Sequence, residues 1–216
     1  RFWYASDGME IASVSADYLQ GDAVFTPQGS AYITLTGSKS IEQSIDFTNG
    51  WNIMSFNMTP EDIDMLSILA GLIDNESLVK VQDETGASIE YMSFLGSWLN
   101  NIEDMSATEG YYIKVNQATT LEASGSPVDL PLDIDLTIGW NIISWPAQNP
   151  QDALEALQGL IDNESLVKVQ DETGAAIEYI SFLSQWSNNI NNMAATEGYY
   201  IKVNQATTLT ASGSPV

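Results

Sequence analysis

The chain contains no cysteine and no histidine. The first absence excludes disulfides, thiolate chemistry and Cys-based metal sites, and the second removes the commonest general base and zinc ligand. Much of enzymology goes with them, and no catalytic function is expected. Basic residues are the next scarcity: 6 Lys plus Arg stand against 29 Asp plus Glu, a formal charge of −23. A surface of that sign repels phosphate backbones and anionic lipid, which argues against nucleic-acid binding and membrane-surface attachment. It favours solubility and weak Ca²⁺ association. No run of 18 apolar residues is present, so no membrane insertion is expected. The chain opens at Arg1 with neither an initiator Met nor a signal peptide, and we expect it to be a piece of something longer.

What is there suffices for packed cores: 44% of residues are hydrophobic and 10% aromatic. The length of 216 residues suits one domain or two. A repeat decides between them. Residues 71–87 read GLIDNESLVKVQDETGA, and residues 159–175 are identical. TEGYYIKVNQATTL begins at Thr108 and again at Thr196, and ASGSPV ends at both Val128 and Val216. Upstream, IEQSIDFTNGWN from Ile41 matches LPLDIDLTIGWN from Leu130. We therefore read residues 42–128 and 129–216 as two repeat modules. Residues 1–41 form a partial or diverged N-terminal β module, because PQGSAYITLTG from Pro27 resembles the closing strands. Ser126-Pro127-Val128 and Leu130-Pro131 make a short, stiff linker.

Within a module the pattern predicts strand, strand, helix, hairpin, long loop, hairpin. The fold class is α+β and β-rich: tandem small antiparallel sheet or sandwich modules, each with one short helix. Residues 51–56 and 140–145 are apolar almost throughout, as for a central strand covered on both faces. Thr59-Pro60 and Asn149-Pro150 read as a cap and first helical position. Ile63, Leu66, Leu69, Ala70 and Ile73 would face the sheet, as would Ala153, Leu154, Leu157, Leu160 and Ile161. A turn over residues 83–87 sets Val81 against Ile89 and Val79 against Tyr91 inward, and Lys80 against Glu90 on the wet face. The second copy pairs Lys168 with Glu178. A closing hairpin would set Lys114 against Glu122 and leave Lys202 without that partner, because Thr210 replaces the acid.

Candidate sites follow from repeated residue types. Four of the six basic residues occupy equivalent strand positions; a clamp for a ligand carboxylate is one reading, but cross-strand ion pairs account for three of them and are the favoured one. Trp51, Tyr91 and Tyr111 run in phase with isoleucines and read as core. Trp98 with Asn100 and Asn101, and Trp186 with Asn188 and Asn189, fall in polar, Asn-rich loops and are the candidate ligand-binding residues, for a glycan stacked on the indoles. Acidic runs such as Asp74-Asn75-Glu76, Asp83-Glu84 and residues 129–135 read as solvated turns. They match no Ca²⁺-loop pattern, so calcium is only a weak possibility and no cofactor is expected.

The combination GWNI(M/I)S, LIDNESLVKVQDETG, IEY, W-x-NNI and ATEGYYIKVN resembles the tandem repeats of large secreted or cell-surface proteins of Bacteroidota, many exported by type IX secretion. The resemblance spans residues 42–216 and implies an exported multi-domain chain with β-rich modules in series, extracellular or at the cell surface. It brings no catalytic residues. The expected function is a non-catalytic structural or adhesive segment: a stalk, spacer or surface-fibre part whose partners are further modules of the same chain. A carbohydrate-binding module using the loop tryptophans and a filament subunit assembled by strand-edge pairing are the alternatives.

Overall fold

An apolar strand must be covered on both faces, and the computed structural model shows how this chain meets that demand. It describes residues 2–4, 10–13 and 40–213, in two units, Arg1–Ser40 and Ile41–Val216. In the first unit, β1 (Phe2–Tyr4) and β2 (Glu10–Ser13) pair antiparallel. The likeness of residues 27–37 to the closing strands lies outside the described residues.

The second unit holds both modules. The first runs β3 (Ile41–Phe47), β4 (Gly50–Ser55), β5 (Met58–Thr59), α1 (Met65–Ile68), α2 (Ala70–Asp74), β6 (Leu78–Gln82), β7 (Ser88–Met92), β8 (Ser97–Asn100), β9 (Gly110–Val115) and β10 (Thr119–Pro127). The second runs β11 (Leu132–Leu136), β12 (Gly139–Ser144), β13 (Gln151–Asp152), α3 (Ala153–Ala156), α4 (Gln158–Asp162), β14 (Leu166–Gln170), β15 (Ala176–Ile180), β16 (Gln185–Asn188), β17 (Asn192–Met193), β18 (Gly198–Val203) and β19 (Thr207–Ala211). Each module is α+β and β-rich. A five-stranded antiparallel sheet, β4-β9-β6-β7-β8 or β12-β18-β14-β15-β16, packs on a smaller one, β3-β10-β5 or β11-β19. Ile45, Phe47 and Leu121 from the small sheet meet Met54, Val81, Ile89, Tyr111 and Ile113 from the large one, with Met65, Leu69 and Leu72 from the helices. Ile134, Leu136 and Leu209 meet Ile143, Val169, Ile177, Tyr199 and Ile201 in the same way.

The hairpin register agrees with expectation: Lys80 pairs with Glu90, Val81 with Ile89, and Lys168 with Glu178. Both lysine–glutamate pairs close at 3.6 Å. Val79, expected inward, is 38% exposed, because a bulge between Leu78 and Lys80 puts two residues where the pleat allows one. Tyr91 is 53% exposed, so it is not the core residue expected.

Four further expectations are corrected. β9 and β10 form no hairpin: β9 lies between β4 and β6, whereas β10 crosses to pair with β3 and β5. Val115 and Leu121 are both buried, as the pattern demanded, but from opposite layers of a sandwich. Lys114 therefore lies opposite Trp51 and Lys80 instead of Glu122, and Glu122 accepts a hydrogen bond from Ser44 Oγ at 2.8 Å. The helices begin later than the prolines suggest, because Met58–Thr59 stays extended against Ser126 and Pro127. The caps are Asp64, whose carboxylate accepts from the Ser67 N–H, and Asp152, which accepts from the Leu154 and Glu155 N–H groups. Each module carries two short helices rather than one, separated at Leu69 or Leu157, and the break turns Met65 and Leu72 inward and leaves Ala70 exposed. Finally, β4 and β12 are edge strands of their sheets, not central ones. Their outer coverage comes from the other module.

Candidate functional site

The GWN motif builds the turn into β4 and β12. Gly50 and Gly139 take φ of +112° and +106°, a region that glycine enters without steric cost. The Asn52 side chain then closes the turn, accepting from the Thr48 N–H and donating to the Thr48 carbonyl, both at 2.9 Å; Asn141 does the same with Thr137. Past this turn the strand alternates: Trp51, Ile53 and Ser55 point away from the module's own core, whereas Asn52 and Met54 point into it.

The outward residues meet the other module's TEGYY segment. The Ser55 N–H donates to the Thr196 carbonyl at 3.3 Å, and the Ser144 N–H to the Thr108 carbonyl at 3.2 Å. Ser55 Oγ donates to the Glu197 carbonyl at 2.6 Å and Ser144 Oγ to the Ala107 carbonyl at 2.5 Å. Isolated antiparallel bridges join Met54 with Glu197 and Ile143 with Glu109. Each module thus lays the segment before its EGYY strand along the free edge of the other's β4 or β12, as in an isologous interface. The glycines of EGYY make the approach possible. A Cβ on Gly110 would sit 2.7 Å from the Ile143 carbonyl oxygen, and one on Gly198 would sit 2.5 Å from Ile53 Cγ2 and 2.9 Å from the Met54 carbonyl oxygen.

Two side-chain amides, one buried and one half-buried, break the symmetry. Gln43 Nε2 donates to the Ser55 carbonyl at 2.8 Å while its Oε1 accepts from the Asn57 N–H at 3.1 Å, and its counterpart is Leu132. Gln148 Nε2 reaches the Asn57 carbonyl at 3.1 Å. Carboxylates crowd the same seam. Glu84 Oε2 accepts from the Ile142 N–H at 2.8 Å. Burial, then the charges of Glu84 and Asp83, push Glu109 above the usual carboxylate range. Glu197 is pushed up to about 7, first by burial, then by the charge and hydrogen bond of Glu172 and the charge of Asp171. Tyr111 and Tyr199 are raised chiefly by burial, and each hydroxyl accepts a backbone N–H, from Ser106 and Ala194, at 2.8 Å.

An aromatic row crosses the seam. Trp51 meets Tyr112 edge-on with centroids 6.2 Å apart, Tyr112 meets Tyr200 at 5.9 Å, and Tyr200 stacks on Trp140 at 4.3 Å. Lys114 Nζ lies 5.6 Å from the Trp51 ring centroid and Lys202 Nζ the same distance from Trp140. Trp51, expected in the core, is 48% exposed, and Trp140 is 37% exposed. Across β9 and β6, Lys114 lies directly opposite Lys80, and Lys202 opposite Lys168.

The candidate ligand residues lie elsewhere. Trp98 and Trp186 are in the edge strands β8 and β16 rather than in loops. They pair with Tyr91 and Tyr179 at centroid distances of 5.9 and 5.7 Å and lean half-buried on the two cores. Asn100 closes the following turn: its Oδ1 accepts from the Ile102 and Glu103 N–H groups and its Nδ2 donates to the Glu103 carbonyl. Asn188 makes the matching bonds with Asn191. Asn101 and Asn189 are exposed. Asp83 spends one oxygen on the Thr85 and Ala87 N–H groups, as Asp171 does on Thr173 and Ala175, so DETG is a turn held by its own first residue. Among the described residues no three Asp or Glu side chains gather in a group that could hold a metal ion, and no helix is long and apolar enough to cross a membrane.

The reciprocal seam was missed by sequence reasoning, as was the placement of the four lysines opposite each other and beside Trp51 and Trp140. The signals were a glycine opening a buried strand and four lysines placed in register. The chain matches no family model, no curated protein and no solved structure.

Proposed function

We propose that the chain is a non-catalytic structural segment of an exported, multi-module protein, a stalk or spacer whose consecutive modules associate in reciprocal pairs. The observation behind this reading is the seam itself: both modules devote two of their repeated motifs, GWNI(M/I)S and TEGYY, to a buried interface with each other. Such a pair resists bending at the connection over residues 128–131 in a way that a string of independent beads does not. A rigid spacer is a use that needs no reactive group, in keeping with a sequence without Cys or His.

Limited proteolysis tests it. The intact chain should resist cleavage at residues 128–131, and a chain carrying Gly110→Val with Gly198→Val should be cut there first. Equal cleavage rates would remove the basis for a stiff spacer.

A further inference from the structure

Of the six basic residues in the chain, the four within Ile41–Val216 are Lys80, Lys114, Lys168 and Lys202. They stand in two like-charged cross-strand pairs, Lys80 opposite Lys114 and Lys168 opposite Lys202. Like charges set directly opposite on a sheet destabilise it. With 29 carboxylates to distribute, an ordinary surface would set an acid there. Lys80 and Lys168 have one neutralising neighbour each, Glu90 and Glu178, in half-exposed pairs of little energetic weight. Lys114 and Lys202 form no ion pair among the described residues and lie over indole rings. A departure from local pairing rules of this kind is expected at functional or strained sites.

We propose that each outer sheet face holds a binding site for an acidic sugar unit of a polysaccharide, with Trp51, Lys114 and Lys80 forming one site and Trp140, Lys202 and Lys168 the other. The Trp51 indole, 48% exposed and met only edge-on by Tyr112, offers a flat apolar surface for the C–H face of a pyranose; Trp140, 37% exposed, has one face covered by Tyr200 and offers the other. The paired ammonium groups one and two strands away receive its carboxylate or sulfate. The anion offsets the repulsion that the empty face carries, and this complementarity selects against a neutral glycan. Tyr112 and Tyr200, in contact at the seam, join the two sites into one surface, so a polymer engaging both gains from effective concentration. Among the described residues no other basic side chain is present, and the net charge of −23 repels polyanions, so binding at physiological salt, where the screening length is about 8 Å, that is lost in the lysine variants reports these local faces.

The experiment is calorimetric titration of the full chain with polygalacturonate, dextran sulfate and neutral dextran. Binding of at least one anionic polymer and not of dextran is expected, and which of the two binds tells carboxylate from sulfate. Lys114→Gln with Lys202→Gln should weaken binding about tenfold or more, Lys80→Gln with Lys168→Gln should also weaken it, and Lys114→Arg with Lys202→Arg should retain it. All four positions are on outer faces, and circular dichroism checks that each variant is folded. The proposal is overturned if neither anionic polymer binds, if dextran binds equally well, or if the glutamine variants bind as the parent does.

Discussion

Ser55 and Ser144, equivalent positions in the two modules, exchange the same contact: each N–H donates to the threonine carbonyl of the other module's TEGYY segment, Thr196 at 3.3 Å and Thr108 at 3.2 Å. Both side chains are fully buried, and both hydroxyls donate across the seam as well. Ser55 Oγ also accepts from the Trp145 N–H at 3.3 Å. Five hydrogen bonds thus converge on two small residues whose sequence context gives no hint of a partner outside their own module.

Removing these hydroxyls leaves buried carbonyls without a donor. Ser55→Ala and Ser144→Ala should each cost about 1–2 kcal/mol, Ser55→Ala more because the Trp145 amide is orphaned too. Urea denaturation of the two single variants and the double variant checks this, and losses within a few tenths of zero would show the bonds to be dispensable.

Glycine positions separate the seam from the rest. Gly198→Ala should destabilise by roughly 1–3 kcal/mol, because its new Cβ meets Ile53 and the Met54 backbone. Gly71→Ala, in α2 with nothing within 4 Å, should stabilise by about 0.5–1 kcal/mol. Midpoints of thermal unfolding read both signs in one experiment.

Acid should tighten the pair. A carboxyl held above its unfolded pKa contributes stability that is complete below the unfolded value and is lost as pH rises through the folded one. For Glu197, with its folded value at about 7, that loss falls between the ordinary glutamate range and neutrality. The midpoint should therefore be higher at about pH 5 than at about pH 8. Glu197→Gln should flatten the difference by raising the midpoint at the alkaline end. An unchanged pH profile in that variant would remove the carboxylate cluster from the account.

Trp98 and Trp186 serve as structural residues in this account. Trp98→Ala and Trp186→Ala should each lower stability by about 2 kcal/mol, less than a fully buried tryptophan because both rings are half-exposed. Neither should alter polyanion binding, whereas the glycan-binding reading of these two residues requires that they weaken binding of some polysaccharide.

Much of the module was legible from side-chain alternation. The Lys80–Glu90 register follows from Val81 and Ile89 having to share a face, and the doubled strings place equivalent elements in both halves. Longer-range relationships were not legible. The Val115 and Leu121 pattern is the same whether two strands share a sheet or face each other across a core, so a sandwich read as a hairpin. Continuous apolarity in residues 51–56 correctly signalled coverage on both faces, but a second module covers an edge strand as well as flanking strands cover a central one. Trp51 and Tyr91 misled because alternation tells which face a residue occupies and not whether the core extends that far. Trp98 and Asn100 looked like loop residues because the asparagines that end β8 also close its turn.

Differential scanning calorimetry tests the central claim, that the two modules form one cooperative body, most directly. In the intact chain the unit from Ile41 onward should melt in a single transition whose van't Hoff enthalpy equals the calorimetric enthalpy. In the Gly110→Val, Gly198→Val chain the ratio should fall to about one half, as two modules of similar size melt independently. A ratio near one half in the unmodified chain would contradict the account.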